Sequence, residues 1–121
     1  MYFNNKESGK GKKVMHKLGF TYEGEFKEGL FNGFGKQYFT NKDYYVGEFR
    51  DGLRCGKGTY RHANGDVYEG EWLNNEENGQ GVMHSKYLGT EEEPDLDSTY
   101  TGEFKDGVYH GKGTLVVKDG F

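Results

Sequence analysis

An all-β fold, an elongated single-layer array of stacked antiparallel β-hairpins with open ends, is what this sequence predicts. Three observations predict it: an excess of rings in a polar chain, an excess of glycine without proline, and a pattern that recurs along the whole length. The rings number ten Tyr, nine Phe and one Trp in 121 residues, while only 32% of residues are hydrophobic and 30% are charged. A chain with mean hydropathy -1.01 has little aliphatic surface with which to offset ordering entropy. Its folding must rest on the rings, each contributing roughly 1.5–3 kcal/mol when buried. Twenty-one Gly against a single Pro fit neither collagen, with glycine at every third residue, nor a proline-rich disordered tract.

The recurring pattern gives the elements in order. Tyr22, Tyr45, Tyr68 and Tyr100 each begin Tyr-x-Gly-Glu-aromatic, ending in Phe26, Phe49, Trp72 and Phe104 at spacings of 23, 23 and 32 residues. Gly33/Gly35, Gly56/Gly58, Gly79/Gly81 and Gly111/Gly113 follow as Gly-x-Gly pairs. The same ruler matches Tyr2, Gly9 and Gly11 to half a unit and Asp119-Gly120 to the Asn64-Gly65 position. One array over residues 1–121 is therefore expected: a half repeat 1–21 and repeats 22–44, 45–67, 68–99 and 100–121.

Within a unit, Tyr22, Gly24 and Phe26 alternate with Glu23, Glu25 and Lys27, the period of a strand with one buried face. A second strand is expected after each Gly-x-Gly, through Tyr38-Phe39, Thr59-Tyr60, Val82-Met83 and Thr114 to Val117. Between the strands, Glu28-Gly29, Asp51-Gly52 and Asp106-Gly107 suit hairpin turns at positive φ, with Asn5 and Asn75 standing where other units have Gly. Glycines inside the strands are expected to make room for rings or for close-lying backbone. Tyr22, Phe26, Tyr45, Phe49, Tyr68, Trp72, Tyr100 and Phe104 are the expected core. At roughly 4.8 Å per strand, four and a half units would span on the order of 45 Å.

The run Tyr100-Thr101-Gly102-Glu103-Phe104 through His110-Gly111-Lys112-Gly113, with its three relatives, resembles the MORN (membrane occupation and recognition nexus) repeat. The resemblance implies an elongated, twisted antiparallel array used as a scaffold. Such arrays occur in ciliary radial-spoke heads, protist division structures and junctional membrane proteins, and as accessory regions of some lipid kinases and lysine methyltransferases. Three departures stand out: the half unit at the start, a nine-residue insertion within Ser85 to Thr99, and an acidic, glycine-free turn over Asn74 to Asn78.

Chemistry is thinly represented. Cys55 is the single cysteine, which excludes an intrachain disulfide and fits a reduced compartment. Cys55-Gly56-Lys57-Gly58-Thr59 and its counterpart at His110 lack the residue order of a phosphate loop. His16, His62, His84 and His110 have no metal-ligand spacing, and no Ser or Cys has a base and orienting partner nearby in sequence. The insertion, with Glu91, Glu92, Glu93, Asp95 and Asp97, lacks the carboxylate order of an EF-hand. It is expected as a solvated loop that could carry a partner contact. No catalytic residue, cofactor or metal is therefore expected.

A net charge of -4 argues against nucleic acid, whose affinity rests on phosphate contacts. It also disfavours a peripheral phospholipid-binding module, since Lys10 to Lys17 is the one basic stretch and fits a strand edge guarded by lysine. With no apolar leader or spanning run, a soluble, cytoplasmic scaffold in a ciliary or other cytoskeletal assembly is expected; the alternatives are the peripheral phospholipid-binding module, disfavoured by charge, and an accessory region of a larger enzyme. Its partner is expected to be a protein, bound as a helix or extended segment on the sheet face or end-on at the strand edges. Tyr38, Tyr60 and Tyr109, with the acidic loop, are the expected contact residues.

Overall fold

The computed structural model describes residues 8–119; Tyr2, Asn5, Gly120 and Phe121 lie outside them. Nine strands form one antiparallel sheet in chain order: β1 (Gly9–Met15), β2 (Phe20–Lys27), β3 (Leu30–Phe39), β4 (Tyr44–Arg50), β5 (Leu53–Arg61), β6 (Val67–Leu73), β7 (Glu76–Tyr87), β8 (Leu96–Lys105) and β9 (Val108–Asp119). Among the described residues there is no helix, and hence none long and apolar enough to cross a membrane.

Two-residue turns make each hairpin. Glu28-Gly29, Asp51-Gly52, Asn74-Asn75 and Asp106-Gly107 all have positive φ at both positions, the twist that matches antiparallel strands. Asn74 and Asn75, at φ 49 and 72°, do without glycine because asparagine tolerates the left-handed region. The acidic turn expected over Asn74 to Asn78 is correspondingly shorter, since Glu76 opens β7.

Register is set by glycine meeting glycine. Gly24 faces Gly35 within a hairpin, and Gly35 faces Gly47 across the next junction; a Cβ on Gly24 would come within 2.5 Å of the Gly35 Cα. Beyond this point the register slips, so that Phe26 pairs with Phe31. The slip recurs in every hairpin that starts with a Tyr strand. It lets a hairpin carry extra residues at the first Gly of the Gly-x-Gly pair while its rings stay on one face.

All eight expected core rings are buried, joined by Phe31, which alternation alone did not single out. Met15, Phe20, Tyr60 and Met83 pack partly buried against them. The flanks of the insertion join the ladder, Ser85 pairing with Ser98, Lys86 with Asp97 and Tyr87 with Leu96, while residues 88–95 between them form the expected, largely exposed loop. These added pairs lengthen β7 and β8, because the segment alternates well enough to extend the ladder before it turns.

Candidate partner-binding surface

Each element of the repeated motif has a structural task. The tyrosine hydroxyls of Tyr22, Tyr45, Tyr68 and Tyr100 donate to the carbonyl oxygens of Glu25, Glu48, Glu71 and Glu103, at 2.6 to 3.1 Å. Those same glutamates turn their carboxylates to the opposite side and accept the backbone N–H of Phe34, Lys57, Gln80 and Lys112. The first Gly of each pair sits beneath that carboxylate: at Gly56, φ is +69° and a Cβ would lie 2.8 Å from Glu48 Oε1. The second Gly lies against the tyrosine ring. Burial pushes the Tyr22 phenol up to about 12, and Tyr45 and Tyr68 are raised by the same cause.

Inter-repeat contacts are equally regular. Phe49 lies edge-on to Tyr22 at 5.0 Å, Trp72 to Tyr45 at 5.2 Å and Phe104 to Tyr68 at 4.9 Å. With the motif so occupied, its geometry and its spacing agree on one architecture. A family model described as the MORN repeat matches residues 22–44, 45–67, 68–86 and 100–120, more than half of the chain. The chain belongs to the MORN-repeat family. It is a MORN-repeat module, of a kind typically used for protein interaction or scaffolding, and no catalytic domain is identified in it. No curated protein matches the chain.

The MORN motif residues are taken up by the fold, which leaves the positions that vary between repeats. One of these is the position that covers each tyrosine, different in all four repeats. Phe31 stacks on Tyr22 at 3.9 Å and Tyr109 on Tyr100 at 4.1 Å, whereas the two middle repeats carry Arg54 and Glu77 there. The Arg54 guanidinium lies 5.0 to 5.6 Å from the rings of Trp72, Tyr60 and Tyr45 and donates to Gln37 Oε1 and the Asn75 carbonyl. Burial works against its charge, while Tyr60, Tyr45 and Glu77 favour it; an arginine in this setting stays protonated.

Beside Arg54 the ring face opens into a groove of about 510 Å³, with Met15, Phe20, Phe31, Phe39, Leu53 and Lys13 in its walls. Leu18, Leu30 and Leu53 stand exposed along it. A broader, flatter hollow of about 700 Å³ lies across the Glu69, Glu71, Lys57 and Gln80 side of the sheet. Among the described residues no three His, Cys, Asp or Glu side chains cluster as metal ligands would.

The expected contact residues do not converge. Tyr38 is on the face of Glu23 and Lys36, packed against Tyr44, while Tyr60 and Tyr109 are on the ring face. Tyr60 is held inward by Trp72 and Phe39 and donates to Asp43 Oδ2 at 2.8 Å. In the insertion, Asp95 Oδ1 accepts from the Gly89 N–H at 2.8 Å and Glu93 from the Tyr87 hydroxyl at 3.3 Å. Asp97 belongs to β8, opposite Lys86 and Lys118. Glu91 and Glu92 point to solvent.

Sequence reasoning passed over the groove residues Phe20, Phe31, Phe39 and Arg54. Phe20 and Phe39 carried a signal, because they stand two residues outside Tyr22 and Gln37 in the same alternation. Arg54 carried none, since its counterparts are Phe31, Glu77 and Tyr109.

A second set of links runs along one side of the sheet. Asp43 accepts the Ala63 N–H at 2.8 Å, and Asp66 accepts the Lys86 N–H at 2.9 Å. Burial opposes the charge on Asp43, but the Ala63 N–H, the Tyr60 hydroxyl, His62 and Asn41 together hold its carboxyl below the ordinary range. His62 Nδ1 lies 3.7 Å from that carboxylate.

Proposed function

We propose that the protein is a non-catalytic scaffold whose ring-face groove receives a helix or extended segment of a protein partner within a ciliary or other cytoskeletal assembly. The observation that carries the reading is the groove beside Arg54: exposed leucines border an aromatic floor, with cationic groups from Lys13 and Arg54 at its walls. Exposed apolar side chains gathered around a concave, ring-floored groove are a feature of interaction sites. The occupant places apolar side chains over Phe20, Phe31 and Phe39 and turns a carboxylate toward Lys13 and Arg54.

The tagged protein, recovered from its native cell with mild detergent, is expected in a detergent-resistant cytoskeletal fraction with a stable protein partner. The double variant Leu30→Lys/Leu53→Lys is expected to lose that partner while keeping its β-sheet circular dichroism. Release with membrane lipid and no protein partner would sink the reading.

A further inference from the structure

The insertion in the third repeat is a segment that neither the repeat nor the ring-face groove accounts for. Its flanks are drawn into β7 and β8 as far as the pairing of Tyr87 with Leu96, and residues 88–95 between them have no ladder partner. Glu91, Glu92, Glu93 and Asp95 stand exposed in that stretch, and directly before them is an exposed hydroxyl, Thr90. Thr90 Oγ1 accepts the N–H groups of Glu92 and Glu93, each at 3.1 Å. Both hydrogen bonds are open to water, so the turn gives them up at little cost when another molecule draws the segment into a cleft. Glu93 is held loosely, by the Tyr87 hydroxyl at 3.3 Å.

The other hydroxyls of the described chain lack this combination. Thr21, Thr59, Thr101 and Thr114 are held in strands, and Ser85 and Ser98 pair with each other across the ladder, with Thr99 next in line. Ser8 is followed by Gly9-Lys10-Gly11-Lys12, a basic run. Thr40 comes nearest, being exposed with Asp43 three residues on. That carboxylate is already taken up by the Tyr60 hydroxyl and the Ala63 N–H, and Lys42 stands before it. Thr90 joins an exposed nucleophile, backbone free of the ladder, and carboxylates one, two and three residues on.

We propose that Thr90 is a phosphorylation site for an acidophilic serine/threonine kinase, one whose peptide cleft is lined with Lys and Arg. Charge decides the class of enzyme: the three consecutive glutamates meet a basic cleft through charge-assisted hydrogen bonds, and an acidic cleft repels them. In the transfer, Thr90 Oγ1 bonds to the γ-phosphorus of ATP and the bond from that phosphorus to the β–γ bridging oxygen breaks. ADP leaves, and the hydroxyl proton passes to the catalytic base of the kinase. The phosphate brings a charge of about -1.5 to -2 at neutral pH. Its oxygens take over the Glu92 and Glu93 N–H groups, which converge on this point as backbone donors do in an anion-binding turn. Repulsion loosens Glu93 from Tyr87. The change stays within residues 88–95, so it remakes the charge and shape of the loop while the buried rings keep their places, and it does not depend on what occupies the groove.

The full chain is incubated with ATP and a purified casein-phosphorylating kinase, and the products are mapped by peptide mass spectrometry. One phosphate is expected, on Thr90, with Thr90→Val unmodified there and Glu93→Gln modified about tenfold more slowly, the loss of one charge-assisted contact. A kinase that prefers basic substrates should leave Thr90 untouched. Thr90 and Glu93 are exposed outside the ladder, so unchanged thermal midpoints of the variants show that the fold is kept. In the phosphorylated chain, the Glu92 and Glu93 amide resonances should move with the titration of the phosphate near pH 6. Phosphate on Ser8, Thr40 or Tyr87 in place of Thr90, equal rates for Glu93→Gln and the unaltered chain, amides that ignore the phosphate titration, or an unmodified Thr90 in protein recovered from its native cell with phosphatase inhibitors would each overturn the proposal.

Discussion

The first complete repeat and the last place a ring on the same spot with different results. Phe31 and Tyr109 both stack on their repeat's tyrosine, at 3.9 and 4.1 Å and interplanar angles of 7 and 21°. Yet Phe31 is 7% exposed and Tyr109 52%. The stacking partner comes from the same hairpin in both cases. The difference comes from the next repeat: Phe49 stands edge-on to Phe31 at 5.9 Å, and Tyr109 has no counterpart among the described residues. Stability in this sheet therefore resides at junctions as much as in hairpins, as in other repeat arrays.

The largest test of that difference is truncation of the two rings. Phe31→Ala is expected to cost about 3–5 kcal/mol in urea unfolding, and Tyr109→Ala about 1 kcal/mol, the value of a stacked pair with little added burial. Equal losses would mean that each hairpin holds its own ring and would break the comparison. Next in size is Arg54→Ala, at about 2 kcal/mol: the change removes a cation lying against three rings and leaves the buried Gln37 amide without its donor. Arg54→Met, which keeps the contact with the rings, should recover part of the loss in the same unfolding measurement.

Smaller, and expected to be equal at both places, are Gly56→Ala and Gly111→Ala, each at about 1–2 kcal/mol for strain in the left-handed region. Their φ values are +69 and +61°, and an added Cβ would meet Glu48 or Glu103 at 2.8 or 2.9 Å. These contacts lie within one hairpin, so the neighbouring repeat should not matter. A markedly milder Gly111→Ala, by thermal unfolding, would show instead that the last repeat is loose throughout.

The smallest effect belongs to the links along the sheet's side. Asp43 is depressed in the folded state relative to its ordinary 3.8. Its contribution is therefore present at neutral pH and fades as pH falls below about 4, where the folded state must take up the proton. The stability gap between the unaltered protein and Asp43→Asn should be largest near neutrality and close below pH 4, in parallel acid titrations. A gap that widened on acidification would reverse the assigned direction.

Much of the fold was legible in the chain because the residues that build it must recur. Tyr22, Gly24, Glu25 and Phe26 meet the same neighbours as their counterparts one repeat on, so the same side chains are required each time. The covering position was not legible, because a flat phenylalanine, a guanidinium and a tyrosine all lie acceptably on the ring below. The failure of Tyr38, Tyr60 and Tyr109 to share a face has a simpler origin. Tyr38 is three residues beyond Gly35 and Tyr60 two beyond Gly58, and one residue of phase in a strand reverses the face. In the insertion, Glu91 to Asp95 form the exposed loop that their composition suggested, whereas the pairing of its flanks, Lys86 with Asp97, was not legible from composition.

The plain meander, in which each strand is bonded only to its neighbours in sequence, has a mechanical consequence. The two ends of the described chain lie on opposite edges of the sheet, so a pull on them acts across the ladders and opens one rung at a time. Hydrogen bonds loaded in this way peel in succession, and no set of them must fail together. An array so built yields by shedding hairpins from its edges under modest force, and each shed hairpin can be regained through local contacts alone, without a long loop to close.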